Sequence, residues 1–146
     1  MICRVWGGRT EAKTARTLFR LALGCALGVA ACAVASADEP CPAKSQSYDD
    51  VVAAIVAAPR CAQALTVMNA CLFVASGDVG LAQAVIDKCE PSFLSRLSIA
   101  RRRAYSAAQI HCRNKYAGKQ GTMYVSFAAT CQARLAAEYA RKYAAP

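Results

Sequence analysis

The chain has 146 residues, 56% of them hydrophobic, with nine cysteines and a formal charge of +9. That length holds one domain and excludes a multidomain architecture. A single histidine, His111, and the lack of any Cys-x-x-Cys pair argue against a zinc or thioredoxin-type redox site, so no metal and no cofactor is expected.

Residues 1–37 read as a secretory signal peptide. Arg4, Arg9, Lys13, Arg16 and Arg20 precede an apolar run from Leu21 to Ala37 that ends Ala35-Ser36-Ala37, which places cleavage after Ala37. A rival lies within the same run. Val29-Ala30-Ala31-Cys32 resembles a lipobox, in which Cys32 becomes the lipidated N-terminus. A retained membrane anchor is the third reading, with 17 apolar residues at the short limit for a span. The expected location is periplasmic or secreted, or membrane-attached through a lipid on Cys32. Five of the 18 Lys+Arg and one of the 9 Asp+Glu fall in residues 1–37, so the remainder carries about +5. Such a domain favours anionic envelope components or an acidic protein. An exported chain without a recognisable nucleic-acid motif predicts no nucleic-acid partner.

Residues 38–47 form a polar lead-in with Cys41. Residues 48–146 read as a helical domain. Ser47 caps a first helix through Val51, Val52, Ile55 and Val56, and Pro59 ends it. A second helix spans Cys61 to Ala75 with a stripe of Leu65, Met68, Leu72 and Ala75. Asp78 caps a third through Leu81, Ala82, Val85, Ile86 and Cys89, and Pro91 stops it. The first arm of a closing hairpin runs from about Ser92 to Ala117. Its stripe is Leu97, Ala100, Ala104, Ala108 and Cys112. Gly118-Lys119-Gln120-Gly121 makes the turn, with Thr122 as N-cap of the second arm. There Tyr124, Phe127, Ala128, Cys131, Leu135, Tyr139 and Tyr143 recur at helical steps. No segment alternates with a period of two. The predicted fold is all-α: a small disulfide-stapled helical bundle ending in a long antiparallel helical hairpin.

Six cysteines follow the leader, which in an exported domain of this size predicts three bridges. Residues that face each other across an antiparallel pair have a constant sum. A Cys112–Cys131 bridge centres the fold-back between Gly121 and Thr122, close to the turn read from its glycines. The other four cysteines leave the choice open. Cys71–Cys89 with Cys41–Cys61 is the first reading, and Cys61–Cys89 with Cys41–Cys71 its competitor.

Several residues bear on function. Arg96, Arg102, Arg103 and Arg113 form a basic flank that reads as solvated or as an anion-binding strip. Arg101 falls near the apolar stripe and Glu138 at the edge of the opposing face, which predicts an interface ion pair. His111 beside Cys112 suggests a thiol–imidazole nucleophile, but neighbouring helical residues diverge by about 100° and Cys112 is claimed by a bridge. No catalytic residue is expected. The tyrosines read as core and rim.

The segment "AYSAAQIHCRNKYAGKQGTMYVSFAATCQARLAAEY" resembles the helical domain of LprI-type lysozyme inhibitors. There a long helix ends in a cysteine, a glycine-containing joint follows, and a second helix begins near another cysteine. Cys61-x9-Cys71 resembles an earlier cysteine pair of that family. The resemblance implies an exported, non-enzymatic cell-envelope binding protein, with lysozyme inhibition as its specific version. Asp78 on the Gly77 turn is the acidic residue at hand for a basic enzyme. The alternative is a small structural or stress-protective periplasmic protein. An envelope-active enzyme is disfavoured, because one histidine and dispersed carboxylates do not assemble a base, a nucleophile and an orienting group.

Overall fold

The computed structural model describes residues 40–145. Both leader readings, with Ala37 and Cys32, lie outside them. The described chain is all helical. Its elements are α1 (Tyr48–Ala57), α2 (Cys61–Ala70), α3 (Asp78–Cys89), two short 3-10 turns (Glu90–Ser92 and Leu94–Arg96), α4 (Ile99–Asn114) and α5 (Thr122–Tyr143). No helix among the described residues is long and apolar enough to cross a membrane.

The boundaries have identifiable causes. The Ser47 hydroxyl accepts from the amide of Asp50 at 3.3 Å and starts α1. Ser98 starts α4 by accepting from the amide of Arg101 at 3.4 Å. α2 stops at Ala70, five residues before the expected end, because Cys71 is drawn into a bridge and residues 71–77 form a braced loop. The expected long first arm is split. Pro91 sits inside a 3-10 turn, and a second such turn precedes α4. Gly118 and Gly121 both take positive φ, 78° and 107°, which only glycine adopts without strain, so the hairpin turn falls where its glycines put it. Gly121 is the N-cap of α5, and Thr122 is its first helical residue rather than the cap.

The core gathers Val51 and Ile55 from α1, Ala64 and Met68 from α2, and Leu81, Val85 and Ile86 from α3. Phe93, between the two 3-10 turns, is wholly buried and joins this core to the hairpin. Its ring meets Tyr105 edge-on at 5.3 Å, and Tyr139 lies 4.8 Å from Tyr105. α5 is used on two sides. Ser126, Ala129, Ala133, Ala136 and Ala140 are buried, and the small side chains allow close approach to α3, its most extensive neighbour. The stripe expected on α5, with Tyr124, Cys131, Leu135 and Tyr139, is only half-buried and turns toward α4. On α4 the expected alanine stripe is displaced. Leu97 and Cys112 of that stripe are buried as expected, but Ala100 and Ala104 are exposed and Tyr105 is buried in their place. Across the hairpin the Gln109 amide donates to Gln132 O at 3.2 Å and the Gln132 amide to Gln109 O at 3.5 Å.

Three bridges staple the bundle: Cys41–Cys71, Cys61–Cys89 and Cys112–Cys131. The hairpin pair is the one expected. Cys71–Cys89 and Cys41–Cys61 are not formed. Cys71 lies at the α2–α3 turn, whereas Cys89 ends α3, a helix about 18 Å long, well beyond the roughly 7 Å Cα reach of a disulfide. The constant-sum rule gives the same answer. A bridge between 61 and 89 centres on residue 75, in the loop, whereas 71 with 89 centres on residue 80, inside α3.

The Cys112–Cys131 bridge closes a loop of about 20 residues, worth roughly 3 kcal/mol through the entropy of the unfolded chain. Replacing both cysteines by alanine is expected to lower unfolding free energy by about that amount in a urea titration, with the hairpin still helical by circular dichroism. Tyr105 supplies a second test. Burial pushes its phenol above the ordinary tyrosine range. Against this the Gln109 amide donates to its oxygen, whereas Glu90, accepting its proton, pushes it higher. The folded state therefore holds this proton to higher pH than the unfolded chain does. Its contribution is present in full below about pH 10, the unfolded value, and fades as pH rises beyond it. Stability of the natural chain should decline more steeply above pH 10 than that of Tyr105→Phe, measured by urea unfolding across pH 8 to 11.

Candidate functional site

Asp78 opens α3 and is completely buried. A buried carboxylate needs donors, and it has three. Its Oδ1 accepts from the Phe73 amide at 2.9 Å, and Oδ2 accepts from the Ala75 amide at 3.3 Å and from the Ser126 hydroxyl at 2.5 Å. This one side chain holds the 71–77 loop by two amides and ties it to α5. Val74 lies between the two anchored amides and sits at φ 54°, a left-handed conformation costly for a β-branched residue. Its side chain is nevertheless half exposed to water.

Val74 borders a groove of about 500 Å³ between the loop, the end of α4 and the middle of α5. Leu72, Tyr116, Phe127 and Leu135 supply apolar walls, and the Cys112–Cys131 bridge lies among them. Tyr116 and Phe127 pack at 5.9 Å. Lys115 and Arg134 bring positive charge to the rim, and Lys115 also lies over the Tyr116 ring at 5.4 Å. Thr130 lines the groove with a buried hydroxyl that has no hydrogen-bond partner.

A second groove, of about 690 Å³, lies between the start of α2 and the end of α5. Arg134 and Glu138 border both grooves. Between them Arg134 donates to Asn69 Oδ1 at 3.4 Å, from α5 across to α2.

The residues singled out in the sequence are placed as follows. Arg101 and Glu138 do not pair. Both are exposed, and the Arg101 guanidinium lies over the Tyr143 ring at 5.3 Å. The contact face of α4 is set by Tyr105 and Cys112, and Arg101 lies a turn beyond it, where no burial forces a carboxylate partner. Arg96, Arg102, Arg103 and Arg113 are all exposed. Arg102 donates to Leu94 O at 3.2 Å and shares a recess of about 530 Å³ with Asp87 and Glu90, which offset its charge. His111 is exposed and Cys112 carries no free thiol, so the two form no nucleophilic pair. Asp78 is spent inside the protein and presents no acidic surface.

Sequence reasoning missed Val74, Thr130, Lys115 and Arg134. One signal was legible. Ser126 and Thr130 are polar residues at i and i+4 on a helix side otherwise filled by alanine, a pattern that marks either a buried partner or a lined groove. Comparison with known proteins finds no matching family model, curated protein or solved structure.

Removing the Asp78 carboxylate orphans two amides and a hydroxyl. Asp78→Ala is expected to cost about 3 kcal/mol or more, and Ser126→Ala about 1 to 2 kcal/mol. Val74→Gly relieves the left-handed strain and should change stability by less than about 1 kcal/mol. Urea unfolding of the three variants checks this order. A Val74→Gly loss as large as that of Asp78→Ala would contradict the assignment of strain to Val74.

Proposed function

We propose that this chain is an exported, non-catalytic binding protein of the cell envelope that grips a protein partner at the groove beneath Val74. The observation that carries the reading is Val74 itself. An apolar side chain is held toward water in a strained backbone, at a cost met by a buried carboxylate and two anchored amides. Strain maintained in this way is characteristic of binding sites. The groove offers aromatic and aliphatic walls with lysine and arginine at the rim, which suits an apolar anchor flanked by acidic residues. Export is supported by three bridges in about a hundred residues, a density found in oxidising compartments.

Inhibition of lysozyme is the specific version that the family resemblance implies. With Asp78 buried, a strongly basic lysozyme meets a basic rim and is repelled, whereas a near-neutral lysozyme is not. Titrating the protein into activity assays of one strongly basic and one near-neutral lysozyme tests this. Inhibition of the near-neutral enzyme is expected, weakened at least about tenfold by Val74→Asp. Inhibition of neither enzyme removes the lysozyme version. If capture from isolated envelope also returns no protein that Val74→Asp loses, the binding reading falls and the purely structural alternative takes its place.

A further inference from the structure

The second groove differs from the first in charge and in shape. Its floor is slim and apolar: Leu65 from α2, and Ala137, Ala140 and Ala144 from the end of α5 and just beyond it. Four cations line it, Arg60, Lys88, Arg134 and Arg141, against one carboxylate, Glu138. Three of the four are held by neutral acceptors. Arg60 Nε donates to Gln63 Oε1 at 3.2 Å, Lys88 Nζ to Val56 O at 3.0 Å, and Arg134 to Asn69 Oδ1 at 3.4 Å. Such contacts orient a cation without cancelling its charge. The start of α2 borders the same groove and adds to the field. It has no side-chain cap and no acidic residue in its first turn, so the positive end of its dipole is uncompensated.

We propose that this groove binds a single-chain anionic lipid, with the acyl chain on the alanine floor and the head among the cations. An apolar trough ringed by uncancelled positive charge calls for a ligand that is apolar along its length and negative at one end. Its volume lies within the roughly 300–1,000 Å³ of small-molecule pockets. This inference does not rest on the protein-binding reading of the other groove.

Calorimetric titration of the intact, oxidised protein with single-chain amphiphiles below their micellar concentrations tests it. Dodecyl phosphate should bind saturably at one per chain. Dodecyl maltoside, with the same tail and a neutral head, should bind at least about tenfold more weakly, and inorganic phosphate alone should not saturate the site. Reversing two exposed cations together, Arg60→Glu with Arg141→Glu, should weaken dodecyl phosphate at least about tenfold while helical content and unfolding midpoint stay unchanged. Val74→Asp should leave this binding intact, which separates failure here from failure of the other groove. Equal affinity for the neutral and anionic amphiphiles, saturation by phosphate alone, displacement of dodecyl phosphate by an acidic peptide at equal concentration, or indifference to the double reversal would each overturn the proposal.

Discussion

The fold depends on covalent ties, because its helices are poorly able to hold one another without them. α1 and α2 have ten residues each, below the length at which isolated helices persist in water. The buried residues include many alanines, and Phe93, Ile55, Met68 and Leu81 head the wholly buried side chains. A core of that size leaves a small domain marginal. The bridges act on this weakness directly. Cys41–Cys71 and Cys61–Cys89 fix α2 at both ends, to the lead-in and to α3, and Cys112–Cys131 fixes α4 to α5. Each restricts the unfolded chain, so stability comes from limiting disorder as much as from burying surface.

Between the two stapled halves the links are noncovalent, and Asp78 is central among them. It belongs to α3, holds the loop that follows α2, and takes the hydroxyl of Ser126 on α5. Packing of α3 against the alanine side of α5, and the contact of Phe93 with Tyr105 and Tyr139, complete the junction. One carboxylate thus serves stability and site together. It stabilises the junction and in doing so holds Val74 in a conformation that valine would not adopt alone. Both grooves are a consequence of α5, which at 22 residues runs the length of the bundle and presents Arg134 and Glu138 to each.

Much of the architecture was legible from local rules. Ser47 starts α1, Gly118 and Gly121 turn the chain, and the hairpin cysteines face each other about that turn. These features depend on residues close in sequence. The parts that were misread depend on residues far apart. Residues 71–75 read as helix on pattern alone; their anchor, Asp78, is near in sequence, but Cys41, which draws Cys71 out of the helix, and Ser126, which ties Asp78 to α5, lie 30 and 48 residues away. The buried side of α5 is its row of Ala129, Ala133, Ala136 and Ala140 and not the tyrosine-bearing stripe, because small residues permit a close approach that hydrophobicity alone does not signal. Arg101 does lie on the side of α4 that meets α5, but one turn before Tyr105, where it is exposed and covers the Tyr143 ring instead of meeting Glu138. The site suffered most, since Val74 and Thr130 matter through backbone conformation and an unpaired hydroxyl, neither of which a sequence displays.

The pairing of the six cysteines is where the account is most exposed, because α2, the braced loop and both grooves take their positions from it. Proteolysis without reduction, followed by mass spectrometry of the cross-linked peptides, reads that pairing directly. The account predicts Cys41 with Cys71, Cys61 with Cys89, and Cys112 with Cys131. Recovery of Cys71 joined to Cys89, of Cys41 joined to Cys61, or of six reduced thiols in material from its native compartment would contradict it.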